Sequence, residues 1–260
     1  MDVLTAISLC SGYEGLGLGL KRAIPNVRTV CYVERETYAV ANLVAKIKEG
    51  KLDDAPIWDD LATFDPKPFE GMVHIIHGGY PCQSFSVAGK RLGTKDPRWV
   101  WPHIERIIEA VEPVWCIFEN VPGHLSIGLP EVYCSLRNMG YSVEAGLFSA
   151  AECGLCHQRK RLYILAHAEN GRNSRRDGGS DSKWQHLAQS KPNDRNGTSS
   201  ETQGCISPSW PARFRNISEI PRVDDEGRNW VDRLRLLGNG VVPQCAEKAI
   251  RELSKLFENN

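Results

Sequence analysis

The sequence predicts an α/β protein built on a doubly wound sheet of parallel strands with crossover helices. Three observations carry that expectation. Through the first two-thirds of the 260 residues, short apolar runs alternate with longer stretches of helical spacing. The first apolar run opens directly into a glycine-rich segment, Ser11-Gly12-Tyr13-Glu14-Gly15. A strand-to-helix turn of that composition lets backbone approach a ligand closely. After His167 the alternation stops, and residues 169–209 become rich in Asn, Ser, Gly, Arg and Asp, with few aliphatic residues and no period.

In chain order, Thr5–Leu9, Thr29–Val33, Val73–His77, Val114–Phe118 and Leu162–Ala166 read as buried strands. Between them, Tyr38–Lys48, Trp101–Val111 and Glu131–Met139 carry apolar residues at helical spacing, as does the stretch from Pro243 to Phe257. Strands separated by helices of this length pair in parallel through right-handed crossovers. Residues 1–168 are therefore expected to form one domain completed by 223–260, with 169–222 a small irregular region. No internal repeat is visible.

Composition narrows the classes. Apolar residues make up 41% of the chain, enough for a single α/β core. Formal net charge is zero, so a nucleic-acid contact has to come from local patches and not a global field. Nine cysteines are scattered without regularity. There is no basic segment followed by an apolar one at the N-terminus and no run of membrane-spanning length. The expectation is a cytoplasmic, monomeric protein with reduced thiols.

Two segments carry chemistry. Gly78-Gly79-Tyr80-Pro81-Cys82-Gln83-Ser84-Phe85-Ser86 sets a cysteine in a tight turn just after an apolar run. Glu119-Asn120-Val121 sets a carboxylate at the end of the next apolar run. A thiol and a carboxyl group at neighbouring strand ends suit attack on a pyrimidine ring, with the thiolate adding to carbon and the acid engaging a ring nitrogen. The turn continues through Lys90, Arg91 and Arg98, a polar and basic loop suited to phosphate. Cys10, Cys31, Cys116, Cys134 and Cys245 read as buried structural cysteines.

Glu34 follows the second strand at about the distance where dinucleotide folds place a ribose-binding acid. Glu14 inside the glycine loop would repel a pyrophosphate, and the glycine spacing departs from the dinucleotide pattern. Asp60 follows the next element, with Asp59 a competing assignment. Cys153-Gly154-Leu155-Cys156-His157 matches haem-attachment and redox-pair patterns but lacks their context, and no metal site is expected. It leads into Arg159-Lys160-Arg161, and near the C-terminus stands Leu237-Gly238-Asn239-Gly240-Val241-Val242-Pro243.

Taken together, these segments resemble the DNA (cytosine-5) methyltransferase family, with six motifs in family order. The resemblance implies a Rossmann-like methyltransferase sheet with a small target-recognition insert and S-adenosylmethionine as cofactor. A cationic ligand of that kind tolerates Glu14. The first motif is similar to Ser11-Gly12-Tyr13-Glu14-Gly15, with Cys10 where the family carries phenylalanine and Glu14 where it carries glycine. By the same resemblance, Cys82 attacks cytosine C6 and Glu119 engages N3 of a base flipped out of the helix. Arg159 and Arg161 match two family arginines that bond the cytosine carbonyl or hold loop and backbone. His157 and Cys156 replace the family's glutamine and proline. Cofactor contacts implied are Ser11, Gly12, Tyr13, Glu14, Gly15, Glu34, Asp60, Leu61, Pro81, Asn239 and Val241. Those implied for double-stranded DNA are Ser84, Ser86, Lys90, Arg91, Arg98, Arg213 and Arg215.

Residues 169–222 carry nine basic against six acidic residues. Arg172, Arg175, Arg176 and Lys183 would meet phosphates, and Trp184 and Trp210 would pack or wedge against bases. A loop without a recognition role is the competing reading of 169–209. The compact chain looks similar to solitary bacterial or phage enzymes, with a cognate restriction endonuclease as a further partner. Two alternatives share the fold: a tRNA cytosine-5 methyltransferase and a catalytically silent DNA-binding protein.

Overall fold

The computed structural model describes residues 3–81, 99–168 and 238–257. Seven strands form one sheet: β1 (Leu4–Leu9), β2 (Val27–Val33), β3 (Ile57–Trp58), β4 (Ile75–Gly78), β5 (Trp115–Asn120), β6 (Tyr141–Ser149) and β7 (Lys160–Ala168). Their order across the sheet is β3-β2-β1-β4-β5-β7-β6. Among the described residues six α-helices accompany them: α1 (Gly15–Ala23), α2 (Thr37–Lys48), α3 (Trp101–Val111), α4 (His124–Ile127), α5 (Leu129–Asn138) and α6 (Pro243–Ser254).

The five expected strands are present, and the parallel expectation holds from β3 through β5. It fails at the far edge, where β7 runs antiparallel to β5 and β6 antiparallel to β7. The connection from β6 to β7 is too short for a crossover helix, and a short link can join only antiparallel neighbours. β6 escaped the sequence pattern because its middle is half-exposed, so no apolar run announces it.

Side-chain alternation sends each strand's residues to two separate cores. Ile7, Leu9, Ile76, Cys116, Phe118, Leu162 and Ile164 pack on one face with α3 and α5. Leu4, Ala6, Ile75, Trp115, Ile117, Tyr163 and Leu165 pack on the other with α1 and α6. Helix α3 shows why the pattern holds: Trp101, Ile104, Ile107, Ile108 and Val111 all lie on one stripe and all are buried. Truncating Ile107, fully buried, to alanine would cost about 2–5 kcal/mol.

The last helix, α6, packs against α1 on one face of the sheet. Arg22 on α1 pairs with Glu247 on α6 at 2.7 Å, and Arg251 donates to the Arg22 carbonyl at 2.9 Å. This docking delivers the turn Gly238–Val241, which precedes α6, to the glycine-rich loop after β1.

Candidate active site

The carboxyl ends of β1, β4 and β5 point the same way, because these strands are parallel. Open sheets bind ligands at that end. Register places Gly78 of β4 opposite Phe118 of β5, so the chain leaving β4 runs beside Glu119. A Cβ on Gly79 would stand 3.2 Å from Glu119 Oε2; glycine there leaves the carboxylate its place. Asn120 secures the same turn: its Nδ2 donates to the Tyr80 carbonyl at 3.4 Å, and its Oδ1 accepts from Val121 N at 2.9 Å.

Glu119 is 5% exposed and faces Arg161 Nε at 3.0 Å. Burial raises its pKa to about 7, against the lowering pull of Arg161 and Arg159. It is therefore an acid that still holds a proton near neutral pH. Antiparallel pairing explains Arg161: Glu119 lies opposite Tyr163, and Arg161 is two residues back on the same face of β7.

On the β1 side, Gly12 sits at φ 55 and donates its N–H to Glu34 Oε2 at 2.7 Å, while Glu36 N donates to Glu34 Oε1 at 2.8 Å. Two main-chain donors thus fix the Glu34 carboxylate at the end of β2. Asp60 turns the chain after β3, its Oδ1 accepting from Ala62 N at 2.9 Å. Arg106 on α3 holds this segment by donating to the carbonyls of Leu61 and Phe64 at 3.1 and 2.9 Å.

A cleft of about 800 Å³ joins these groups. Gly12, Glu34, Asp59, Asp60 and Leu61 line one part, and Pro81, Glu119, Arg161 and Asn239 line another. Asp59 and Asp60 both reach it, so both assignments remain open. A smaller cavity of about 30 Å³ adjoins, lined by Ser11, Tyr13, Glu14, Gly15 and Val241 among others.

Several expected residues stand elsewhere than the large cleft. Glu14, the residue before α1, adopts φ 67 and is 2% exposed. It accepts from Ser8 Oγ at 2.6 Å and lies 3.6 Å from His77 Nε2. The sequence places its charge inside the ligand loop; the side chain instead turns beneath the loop, against the smaller cavity. Arg159 is absent from the cleft lining and donates to the carbonyls of Gly238 and Gly240 at 2.8 and 2.6 Å. Tyr13 reaches the same turn, its hydroxyl donating to the Val241 carbonyl. Lys46 Nζ in turn donates to the Tyr13 carbonyl at 2.6 Å. Val241 is buried in the core.

Among the cysteines, Cys31, Cys116 and Cys245 are buried as expected. Cys134 is exposed, on the solvent side of α5, and Cys10 is half-buried and lines the cleft. Cys153 ends a short turn, while Cys156 and His157 are exposed. Cys82, Ser84, Ser86, Lys90, Arg91, Arg98, Arg213, Arg215 and the whole segment 169–222 lie outside the described residues. Sequence reasoning missed Ser8, His77 and His124, each a lone polar residue in or beside an apolar element, and Arg106, one of several polar residues on α3; only tertiary contacts give them meaning.

The model of the C-5 cytosine-specific DNA methylase family matches residues 4–226. The chain belongs to this family. Among similar curated proteins, the Type II methyltransferase M.NaeI of Lentzea aerocolonigenes is 31% identical over 177 residues, covering 64% of this chain and 40% of that protein. The Type II methyltransferase M.NgoBV of Neisseria gonorrhoeae is 30% identical over 178 residues, covering 63% and 41%. This member of the methylase family thus spans about 40% of the length of these relatives. Its fold is similar to that of the Dnmt2 methyltransferase of S. pombe, with a TM-score of 0.53 and 26% identity over 65% of this chain and 52% of that one. A putative DNA modification methyltransferase encoded within an Escherichia coli prophage shares the fold, with a TM-score of 0.50 and 22% identity over 64% of this chain and 47% of that one. No helix of the chain, among the described residues, is long and apolar enough to cross a membrane.

Proposed function

We propose that this chain methylates carbon 5 of cytosine in double-stranded DNA, using S-adenosylmethionine as donor. The observation that carries the reading is the single cleft shared by Glu34 and Asp60 with Glu119 and Arg161, with Pro81, the residue before Cys82, on its wall. The donor's chemistry fits the first of these groups. A fixed carboxylate at Glu34 suits ribose hydroxyls, and Asp59 or Asp60 suits an adenine amino group. An end lined by Glu34, Glu36, Asp59 and Asp60 favours a cation and would repel a polyphosphate. When bound, S-adenosylmethionine supplies the transferable methyl group.

The chain's own residues then divide the remaining work. The Cys82 thiolate forms a bond to C6 of the cytosine as N3 takes up the proton that Glu119 holds. The electron pair of the 5,6 double bond moves to C5, which accepts the methyl group. Loss of the C5 proton to solvent, cleavage of the C6–S bond with the electron pair returning to sulfur, and return of the N3 proton to Glu119 restore the ring and free Cys82. Arg161 orients the Glu119 carboxyl group, and Arg159 acts as a positioning residue by holding the Gly238–Gly240 turn that carries Asn239. Residues 169–222 are the proposed target-recognition region, and 1–168 with 223–260 the catalytic domain. A type II restriction endonuclease of matching specificity is the proposed partner.

The test is base-resolution mapping of 5-methylcytosine in DNA from a methylation-free bacterial host expressing the protein, beside a Cys82→Ala control. Methylation at one recurring short sequence, lost in the control, is the expected result. A map as blank as the control's would refute the DNA reading.

A further inference from the structure

Tyr80 is 3% exposed, two residues before Cys82, and its ring sits in a nest of aromatic side chains. Trp99, Trp101, Phe118 and His124 surround it at centroid separations of 6.2, 5.7, 5.9 and 5.4 Å. Packing alone would be served by phenylalanine. The hydroxyl is what distinguishes tyrosine, and it meets Nε2 of the fully buried His124 at 2.7 Å. Neither group would be buried cheaply without the other, because an unsatisfied hydroxyl or imidazole costs about 1–3 kcal/mol.

His124 begins α4, five residues beyond Glu119 on the same stretch of chain. Burial pushes its pKa down to about 4, so near neutral pH the ring offers one donor and one acceptor. Trp99, where the described chain resumes, lies 5.9 Å from the same imidazole, and its Nε1 donates to Glu131 Oε1 at 3.1 Å. Tyr80 and Trp99, on either side of residues 82–98 in the chain, thus both rest on His124. Between Tyr80 and Cys82 stands Pro81, whose ring fixes φ near −65° and leaves little slack.

We infer that His124, acting through the Tyr80 hydroxyl, is a positioning residue that fixes Tyr80 and Pro81, the chain entering Cys82, on the cleft wall beside the Glu119 carboxyl group. The inference rests on the proposed roles of Cys82 and Glu119. Asn120 holds Tyr80 by its main-chain carbonyl, while His124 holds it by the side-chain hydroxyl.

The test uses the full chain with Tyr80→Phe, His124→Gln, His124→Leu and the Tyr80→Phe/His124→Gln double variant. Two rates are read: iodoacetamide alkylation of Cys82 from pH 6 to 9, followed by peptide mass spectrometry, and covalent capture on duplex DNA carrying 5-fluorocytosine. Thermal midpoint and S-adenosylmethionine affinity by calorimetry serve as controls. Tyr80→Phe is expected to slow both rates about tenfold at pH 7, with cofactor affinity within about twofold of wild type. The double variant should be no slower than the worse single one, since the two residues act as a unit. His124→Gln, which keeps an acceptor, should retain more activity than His124→Leu. Unchanged alkylation in Tyr80→Phe would overturn the inference, as would a loss matched by an equal loss of cofactor affinity. Alkylation does not require methyl transfer. A wild-type protein that captures no DNA would sink the functional reading, while alkylation would still decide the positioning role.

Discussion

Two buried glutamates, Glu14 beneath the glycine loop and Glu119 at the end of β5, carry the same electrostatic signature. Each is raised to about 7, and in each the largest cause is desolvation by burial. Their surroundings differ. Glu119 opens onto the cleft and faces an arginine, so its proton has somewhere to go. Glu14 is closed off by Ser8 and by His77, itself pushed down to about 3 by burial and by Lys21. A Cβ on Gly17 would stand 1.9 Å from Glu14 Oε1, so the helix leaves room for the carboxyl group only by omitting a side chain there. A perturbed carboxylate marks a catalytic acid only where substrate can reach it.

The largest expected effect separates the pair directly. Glu119→Gln should lower the single-turnover methylation rate by about 10²–10⁴-fold, whereas Glu14→Gln should stay within about threefold. Equal losses in the two variants would erase the contrast. Next comes pH. With Glu119 acting as the acid, the rate should fall about tenfold per unit above pH 7, because a group raised to about 7 is deprotonated there. Arg161→Gln removes a lowering influence, so the alkaline limb should move to higher pH while the plateau falls. An unmoved limb would disconnect Arg161 from Glu119.

On the cofactor side, Glu34→Ala should weaken S-adenosylmethionine binding about tenfold by calorimetry; unchanged affinity would remove it from the ribose site. The smallest effect is on stability. The folded protein holds a proton on Glu14 more tightly than the unfolded chain does, between the ordinary value of 4.5 and about 7. That contribution is fully present below pH 4.5 and is lost as pH rises through 7. Glu14→Gln, which cannot ionise, should therefore gain thermal stability over wild type at pH 8 and little or none at pH 5. A gain independent of pH would mean that Glu14 is not the titrating group.

The site was legible where chemistry is local. Glutamate at a strand end and glycines before a helix each constrain backbone within a few residues, and Glu119 and Gly12 do share one cleft; Cys82 lies outside the described residues. Glu34 was legible too, since strand length and turn length alone bring it beside Gly12. Arg159 was half legible: a permanent cation near the active end is plain from sequence, but its two carbonyl partners come from a turn nearly eighty residues later. Glu14 was misread because direction is invisible in a string. At φ 67 it takes the left-handed position that glycine occupies without strain, which sends its side chain under the loop.

By itself the sequence determined the α/β class, the strand and helix core, the order of the motifs and which residues stand as candidates for nucleophile and acid. These follow from apolar period and residue type, which act over short range. Tertiary structure alone decided that β7 runs against both of its neighbours, β5 and β6, that Arg159 secures a turn, that Glu14 is buried beneath the glycine loop, and that His124 meets Tyr80. Each depends on which side chain faces which across elements distant in the chain, and burial, not sequence spacing, sets the energy of those meetings.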